Sequence, residues 1–574
     1  MRLSALIATT ALGLLACAQS PPQPTTARAI AVTANPDATQ AAMRMLDQGG
    51  SAVDAAVAAQ MVLGLVEPQS SGIGGGALAM HWDAARRQLS SYDGLAAAPA
   101  RVTAALGIDA DGRKLDALSV RRGGRSVGVP GALGLLQALH QQHGRLAWAA
   151  LFKPAIDLAE AGFAMPRYLH AVLAAPNAAA EHPELRALYF DADGLVLPVG
   201  KRIKNPAYAQ TLRSVAALGV QGWLRGGAAR DIAAAAQRGA LPSFMTEADV
   251  LAHRTQPREP LCGPFLRYRV CAMGPASFGG VAVLQMLQML QPAASSASAA
   301  AAALDFDDAE FVHRYVEAGR LAQADRLRFV GDPDSVPVPT AQLLAPAYLQ
   351  QRAALINPAR AMPEARAGDL AVAPVAPVAP RAAAQNVGEH ADVTSQITIV
   401  DAAGNALAIT TTINLNFGSR LMVGGFVLNN ALTNFADSAV PGPARANQMA
   451  PNKRPVTSMA PIIVFDPSGE PVVVGGSAGG GQIVDYIAQS LLEMLAAQRT
   501  PAQALARGHV STANAGVVQL EAGTAAALHA PALRDKGHKV EVSDMKSGLA
   551  FVKRDGARWI GAADPRRDGT SLGR

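Results

Sequence analysis

Apolar residues near the N-terminus recur with the period of a helix. This spacing predicts a helix over 36–48, which the glycine pair at 49–50 ends. Ser51 is a residue that commonly begins a helix, and an Ala/Val-rich stretch follows it as far as about Leu65. Because this second stretch is apolar on nearly every side, we expect the helix to be buried.

A glycine-rich loop over 67–76 follows these helices, and the next residues, 77–82, have the pattern of a strand. Glycine-rich loops can bind dinucleotides, but that site needs the order strand, loop, helix, and here the order is helix, loop, strand. We therefore interpret these glycines as positions of close backbone packing. The region from 130 to 350 is predicted to be mainly helical with short loops.

The pattern changes after an Ala/Pro-rich stretch over 371–380, which we expect to be extended and mobile. Short runs of alternating apolar and polar residues, separated by turn residues, then predict hairpins. Hairpins favour antiparallel sheets, which the preceding helices would cover. This is an α+β layered domain. The predicted elements are strands over 396–400, 406–413, 461–465 and 472–474, a glycine-rich loop over 475–481 and an amphipathic helix over about 482–497.

The composition agrees with a large folded core. The chain has 574 residues, of which 50% are hydrophobic and only 16% are charged, so wholesale disorder is excluded. The net charge of +6 is spread thinly without runs of like charge, which speaks against nucleic acid or a polybasic membrane site. After the N-terminus, no uninterrupted apolar segment is long enough to predict a transmembrane helix.

The N-terminus resembles a bacterial lipoprotein signal. Residues 1–16 form a short apolar segment after one positive charge, and Cys17 would become the lipidated first residue of a tether over 17–29. The alternative is an ordinary signal peptide cut near Ala18. The expected location is periplasmic, with a lipid anchor in the outer membrane.

Two cysteines remain after Cys17. An exported chain lies in an oxidising space, so we expect Cys262 and Cys271 to form a disulfide across a turn and a strand. The alternative is a pair of reduced thiols too far apart to bridge. The scattered histidines show no spacing typical of a metal site, so we predict none.

Thr394 is a candidate nucleophile because it opens a predicted strand directly after the mobile segment. A cut before Thr394 would give this residue both a hydroxyl and a free α-amine. The usual pKa of such an amine is about 7.7–8.0, so it could serve as the general base for the hydroxyl. A Ser-His-Asp triad has no comparable support, since the chain lacks a Gly-x-Ser-x-Gly elbow. The alternative is a structural threonine.

The loop Gly479-Gly480-Gly481 leads into a predicted helix. Backbone N–H groups at a helix N-terminus are unpaired and carry positive partial charge, so this loop is suited to stabilise an oxyanion. The alternative is an ordinary turn between a strand and a helix.

Several short sequence blocks follow one another in a characteristic order. They lie at 49–57, 67–76, 127–131, 394–401, 404–406, 410–412, 417–418, 428–430, 451–455, 475–480 and 564–566. With these blocks the chain resembles the γ-glutamyltranspeptidases, also called glutathione hydrolases, of the N-terminal-nucleophile superfamily. The resemblance covers almost everything after about residue 30.

The resemblance implies a precursor that cleaves itself between Val393 and Thr394. Residues 30–393, ending in the mobile segment 371–393, would form the large subunit, and 394–574 the small catalytic subunit. The implied fold is a four-layer αββα sandwich shared by both subunits, and no cofactor is needed. By resemblance, Thr412 steadies the Thr394 hydroxyl and Gly479 and Gly480 donate the oxyanion N–H groups. Four further positions would bind the ends of the glutamyl group: Asn414, Asn434, Thr457 and Ser458.

The chain departs from the family at the charged anchors of that group. Leu95 occupies the place of the arginine that grips the α-carboxylate, and Ala431 and Asn434 occupy the places of a glutamine and an aspartate. Thr457 replaces a serine and keeps the hydroxyl. Loss of two charge-assisted hydrogen bonds, at about 1.5–3 kcal/mol each, could weaken γ-glutamyl selectivity a hundredfold or more. Three arginines could substitute: Arg101, Arg121 and Arg122.

Three functional hypotheses follow. The first is a hydrolase or transferase that cleaves γ-glutamyl amides through a threonyl acyl-enzyme, with water or an amine as acceptor. The second is an acylase with a more apolar pocket, as in relatives that remove glutaryl-type side chains from cephalosporins. The third is an uncleaved envelope lipoprotein that only binds, which predicts a single chain where both enzymes predict two.

Overall fold

The computed structural model describes residues 26–574 with a few internal gaps. The signal segment, Cys17, most of the tether and nearly all of segment 371–393 lie outside the described residues. The gaps are at 104–105, 108–110, 112, 114, 177–178, 240, 292–298, 300–301, 371–392, 437–445 and 515.

Within the described residues, the strands build two large antiparallel sheets and three small sheets. The first large sheet has the order β1-β20-β19-β15-β14-β9-β8, and the second has the order β21-β2-β10-β11-β3-β4-β7. The strands are β1 Thr26–Ala27, β2 Ile30–Thr33, β3 Gly76–Asp83, β4 Gln88–Gly94, β5 Phe163–Ala164, β6 Arg202–Ile203, β7 Gln256–Arg258, β8 Leu261–Phe265, β9 Tyr268–Ala272, β10 Ser395–Val400, β11 Ala406–Thr412, β12 Met422–Val423, β13 Phe426–Val427, β14 Ile462–Phe465, β15 Pro471–Gly476, β16 Val510–Asn514, β17 Val517–Glu521, β18 Lys539–Ser543, β19 Ala550–Asp555, β20 Arg558–Ala563 and β21 Thr570–Gly573.

The helices lie mainly in the first two thirds of the chain. They are α1 Pro36–Asp47, α2 Ala52–Val66, α3 Ala117–Arg121, α4 Ala132–His143, α5 Lys153–Ala161, α6 Arg167–Ala174, α7 Pro183–Tyr189, α8 Pro206–Trp223, α9 Ala229–Ala236, α10 Glu247–Ala252, α11 Gly279–Leu290, α12 Ala309–Phe329, α13 Thr340–Leu343, α14 Pro346–Ala353, α15 Ile483–Leu495, α16 Pro501–Leu505 and α17 Ala530–Asp535.

Three apolar clusters separate four layers. Because successive side chains of a strand point to opposite faces, each sheet contributes to two clusters. In β14, Ile462 and Val464 face the helices α11, α12 and α15, whereas Ile463 faces the other sheet. In β10, Ile397 and Ile399 pack against α2, whereas Val400 joins the cluster between the sheets. The layers are therefore helix, sheet, sheet and helix.

The two N-terminal helices form where the sequence predicts them. Asn35 begins α1 by accepting a hydrogen bond from the Asp37 N–H, and Ser51 begins α2 in a reciprocal pair with Asp54. Every residue of α2 is buried, as its apolar sequence predicts. Glu67 is the residue that follows this helix, and its side chain accepts a hydrogen bond from Ser395 at the start of β10.

The prediction of a helical middle region was incomplete. Strands β7, β8 and β9 lie between 256 and 272, where short β-branched and aromatic runs are too brief to show a clear period. Cys262 and Cys271 are paired across β8 and β9 and form a disulfide. No helix in the described part of the chain is both long and apolar enough to cross a bilayer.

Candidate active site

Thr394 lies at the head of β10, and its backbone is strained. The residue is 3% exposed, and Val393 before it is buried as well. Its φ is +91°, in a region that side chains with a branched Cβ rarely adopt. A conformation of this kind costs on the order of 1–3 kcal/mol and persists only where neighbouring contacts impose it. Backbone strain is therefore present at the junction where the family resemblance predicts cleavage.

The Thr394 hydroxyl is oriented by the neighbouring strand. Thr394 Oγ1 donates to Thr412 Oγ1 at 3.0 Å, at the end of β11. Thr412 Oγ1 also accepts a hydrogen bond from the Asn414 N–H at 2.9 Å. Because strands β10 and β11 are paired in register up to Ser395 and Thr411, the two hydroxyls come together at the same end of the sheet.

The carbonyl group of Val393 contacts the glycine-rich loop after β15. The Gly479 N–H donates to the Val393 oxygen at 3.2 Å. Gly479 has φ +128°, and a Cβ atom there would lie 2.5 Å from the ring of buried Tyr486. Only glycine therefore fits, and its N–H points at the carbonyl on which an attacking hydroxyl would develop negative charge.

Gly480 is the next residue of the loop, and its carbonyl is fixed. Ser458 Oγ donates to the Gly480 oxygen at 2.5 Å. A short 3-10 turn over Gly480–Gln482 then leads into α15. The helix begins at 483, close to the predicted start, so the loop lies at its N-terminal, electropositive end.

Arg567 is a site residue that the sequence analysis missed. Its Nη1 donates to the Thr394 carbonyl oxygen at 3.0 Å, and its Nη2 donates to the Lys546 oxygen at 3.2 Å. The guanidinium lies 4.7 Å from the ring centre of Tyr168. The only sequence feature that pointed to this region was the family block at 564–566, which ends one residue before Arg567.

Glu67 is a second residue whose place was not predicted. Ser395 Oγ donates to Glu67 Oε2 at 2.7 Å, and Ser71 Oγ donates to Ser395 Oγ at 3.0 Å. Burial raises the pKa of the Glu67 carboxyl to about 7, although Arg567 and the Ser395 hydroxyl act in the opposite direction. The sequence predicts close backbone packing and a family block for its loop, 67–76, but no role for Glu67.

The residues expected to bind a glutamyl group lie around the same loops. Asn414 has φ +83°, and its Nδ2 donates to the Asn430 oxygen at 3.1 Å and to Thr433 Oγ1 at 2.9 Å. Asn434 is half-buried, and its carbonyl accepts from Asn447. Thr457 Oγ1 accepts from the Met459 N–H at 3.3 Å. Three residues of this set therefore make hydrogen bonds within the protein: Asn414, Asn434 and Thr457.

Leu95, at the place where the resemblance predicts an arginine, is buried in the protein interior. Its side chain is 5% exposed and belongs to the apolar cluster that packs under the first sheet. Asp93, two residues earlier, accepts from the Leu95 N–H at 2.9 Å and pairs with Arg258 at 3.2 Å and Arg454 at 3.4 Å. Two arginines inside the protein therefore compensate the charge of the Asp93 carboxylate.

The three arginines considered as substitutes have different surroundings. Arg101 is exposed, and Arg122 pairs with Glu181 at 3.3 Å. The backbone oxygen of buried Arg121 accepts from Asn430 Nδ2 at 3.0 Å, which links it to Asn414. Across the described ranges, no group of three or more His, Cys, Asp or Glu side chains is arranged to hold a metal ion.

Three features together are typical of the N-terminal-nucleophile hydrolase class. A threonine begins a strand of the sandwich, its hydroxyl is held by a hydrogen bond, and a glycine N–H donates to the carbonyl of the residue before it. The Gamma-glutamyltranspeptidase family model matches residues 38–573, so the chain belongs to that family.

Two relatives show the breadth of the family around this chain. It is 29% identical to the glutathione hydrolase proenzyme of Bacillus subtilis (strain 168), over 94% of this chain and 90% of that protein. It is 34% identical to the acylase ACY 1 proenzyme of Pseudomonas sp. (strain SE83), over 95% and 93%. Both relatives are named as proenzymes.

The fold comparison agrees. The structure of cephalosporin acylase from Bacillus halodurans is similar with a TM-score of 0.82, covers 99% of both chains and is 24% identical. At that identity the similarity concerns the fold alone. The predicted αββα sandwich is confirmed.

Proposed function

We propose that the chain is a precursor that cuts itself between Val393 and Thr394 and then acts as an amide hydrolase or acyltransferase. The observation that carries this proposal is the strained junction itself. There the Val393 carbonyl accepts from the Gly479 N–H while the Thr394 hydroxyl is bonded to Thr412.

Self-cleavage would proceed by transfer of the Val393 acyl group from nitrogen to oxygen. Thr394 Oγ attacks the Val393 carbonyl carbon, the C–N bond breaks, and the nitrogen takes the hydroxyl proton. Water then hydrolyses the ester and leaves a carboxylate on Val393 and a free amine on Thr394. The Gly479 N–H stabilises the developing oxyanion, and relief of the strained φ favours the step.

The mature site would use the new amine as its base. The amine takes the proton of the Thr394 hydroxyl, which attacks the carbonyl carbon of the substrate amide. Gly479 and Gly480 donate to the oxyanion, and the amine returns the proton to the leaving nitrogen. Water, or an acceptor amine, then attacks the acyl ester and releases Thr394.

The acyl group best supported is one without the charges of an α-amino acid, such as glutaryl. Leu95 is buried in an apolar cluster, and Ala431 and Asn434 supply no carboxylate for an α-ammonium. The 34% identity to a protein named as an acylase supports the same class.

A γ-glutamyl amide, as in glutathione, is the second candidate substrate. Asn414, Thr457 and Ser458 keep the amide and hydroxyl groups that the family resemblance assigns to the glutamyl group. The 29% identity to a glutathione hydrolase proenzyme supports this candidate. Hydrolysis uses water as the acceptor and transfer uses an amine, so the same assay with an added amine distinguishes the two reactions.

The test offers a glutaryl anilide and a γ-glutamyl anilide side by side to the purified protein. We expect two fragments on a denaturing gel and a higher kcat/KM for the glutaryl anilide. A preference for the γ-glutamyl anilide would select the second candidate. A single chain without turnover would refute the enzyme and favour an envelope protein that only binds. Thr394→Ala is the inactive control.

We also propose that the protein is exported and anchored by lipid at Cys17. The signal-like segment 1–16 supports this location, as does the Cys262–Cys271 disulfide, which is typical of oxidising compartments. Labelled fatty acid should be incorporated into the expressed chain and not into a Cys17→Ser variant. Equal labelling of both would refute the anchor.

A further inference from the structure

Glu67 places a buried carboxyl group next to Ser395, the residue that follows the candidate nucleophile Thr394. The side chain is 1% exposed, and Oε2 accepts from Ser395 at 2.7 Å. The other oxygen, Oε1, has no hydrogen-bond partner among the described residues. A buried carboxylate with a vacant acceptor is costly unless a positive charge compensates it.

The charges around Glu67 come from two segments. Glu67 ends α2, where the negative end of the helix dipole opposes a carboxylate. Arg567, which holds the Thr394 carbonyl, favours the carboxylate, and Asp568 opposes it. Asp568 is itself paired with Arg167 at 3.1 Å. Arg567 therefore interacts with both the Glu67 carboxylate and the backbone carbonyl of Thr394.

Cleavage would add a second cation at this place. The Thr394 nitrogen belongs to the residue before Ser395, so standard bond lengths put it within about 10 Å of the Glu67 carboxylate. In the uncut chain this nitrogen is a neutral amide. In the mature protein it would be an amine that can take a proton.

We propose that Glu67 is a positioning residue that tunes the protonation of the Thr394 amine and thereby sets the lower pH limit of activity. This inference rests on the proposed function, because it needs the amine to act as base. A nearby anion favours the ammonium form and raises the pKa of the amine. Since only the neutral amine can accept the hydroxyl proton, Glu67 would move the acidic limb of activity to higher pH.

The size of the effect follows from the distance. With an effective dielectric constant of about 20, a unit charge about 10 Å away shifts a pKa by roughly one unit. The pKa of Glu67, about 7, is close to that of the amine, so the two groups titrate together and the carboxylate is partly neutral on the acidic limb. We therefore expect a shift of about half a unit to one unit.

The experiment measures kcat/KM against pH for mature Glu67→Gln. Glutamine can still accept from Ser395 and removes only the charge. We expect the midpoint of the acidic limb to fall by about half a unit to one unit. An unchanged midpoint, with any loss confined to thermal stability or maturation, would overturn the proposal.

The matched control is Glu317→Gln. Glu317 is equally buried, but it accepts from Arg320 at 2.6 Å and from the Met362 N–H at 2.8 Å, not from residues of the site. The midpoint of the acidic limb for the Glu317→Gln variant should match that of the wild type. An equal shift in this control would show a general effect of removing a buried charge and would also overturn the proposal.

A second variant covers the case in which Glu67→Gln does not mature. Ser395→Ala removes the hydroxyl that stabilises the carboxylate, so Glu67 becomes neutral over a wider pH range. The acidic limb should move in the same direction by a smaller amount, and movement to higher pH would overturn the proposal. Wild-type protein that neither cuts itself nor turns over substrate would instead refute the proposed function.

Discussion

Replacing Gly479 with alanine tests how the oxyanion loop works. The new Cβ would lie 2.5 Å from Tyr486 Cε2, closer than unbonded carbon atoms approach. Tyr486 cannot move aside easily, because it is fully buried, its hydroxyl bonds Gln482 at 2.8 Å, and its ring lies 4.3 Å from that of His509. The loop must therefore shift and carry the Gly479 N–H away from the Val393 carbonyl.

The magnitude has two parts. Loss of one oxyanion donor typically costs about 2.7–4 kcal/mol in the transition state, which is a factor of about a hundred to a thousand in rate. A side chain at φ +128° costs on the order of 1–3 kcal/mol of stability in addition. We expect Gly479→Ala to slow self-cleavage by at least a hundredfold and to lower the melting temperature.

The assay follows the uncut chain on denaturing gels over time after purification. Gly227→Ala is the matched control, because Gly227 has a similar φ of +118° and its added Cβ would meet only the flexible end of Arg230 at 3.2 Å. The control should lose stability and keep the wild-type cleavage rate. Cleavage of Gly479→Ala at the wild-type rate would refute the role given to this N–H.

Three other predictions follow from the site and the fold. Thr412→Ala removes the 3.0 Å partner of the nucleophile and should slow both cleavage and turnover about tenfold to a hundredfold, with an unchanged melting temperature. Asn434→Asp restores a carboxylate and should raise the γ-glutamyl to glutaryl ratio of kcat/KM about tenfold to a hundredfold; an unchanged ratio would contradict the assigned pocket. Reduction of the Cys262–Cys271 disulfide should lower the free energy of unfolding by about 2.5 kcal/mol, measured in denaturant, and leave a Cys262→Ala, Cys271→Ala double variant unaffected.

The sequence predicts best what depends on local period and turn chemistry. Helix α2, the hairpin of β10 and β11, and the glycine loop before α15 lie close to their predicted bounds because each has a clear repeat and a distinct end signal. Strands β8 and β9 were less clear, since runs of five residues can belong to either a strand or a helix.

The site residues that were missed act across long sequence separations. Arg567 is 173 positions from Thr394, and Glu67 is 328 positions from Ser395. No local pattern shows which buried polar groups will meet, because such pairs form only when the layers close. Leu95 illustrates the same limit, since its sequence shows a lost charge but not that the side chain packs into an apolar cluster.

The most direct test of the central claim is the intact mass of the purified protein together with the N-terminal sequence of each fragment. We predict two fragments, one of which begins at Thr394, and a Thr394→Ala variant that stays in one piece. A wild-type chain that remains whole while it turns over substrate, or a cut at another position, would contradict the account.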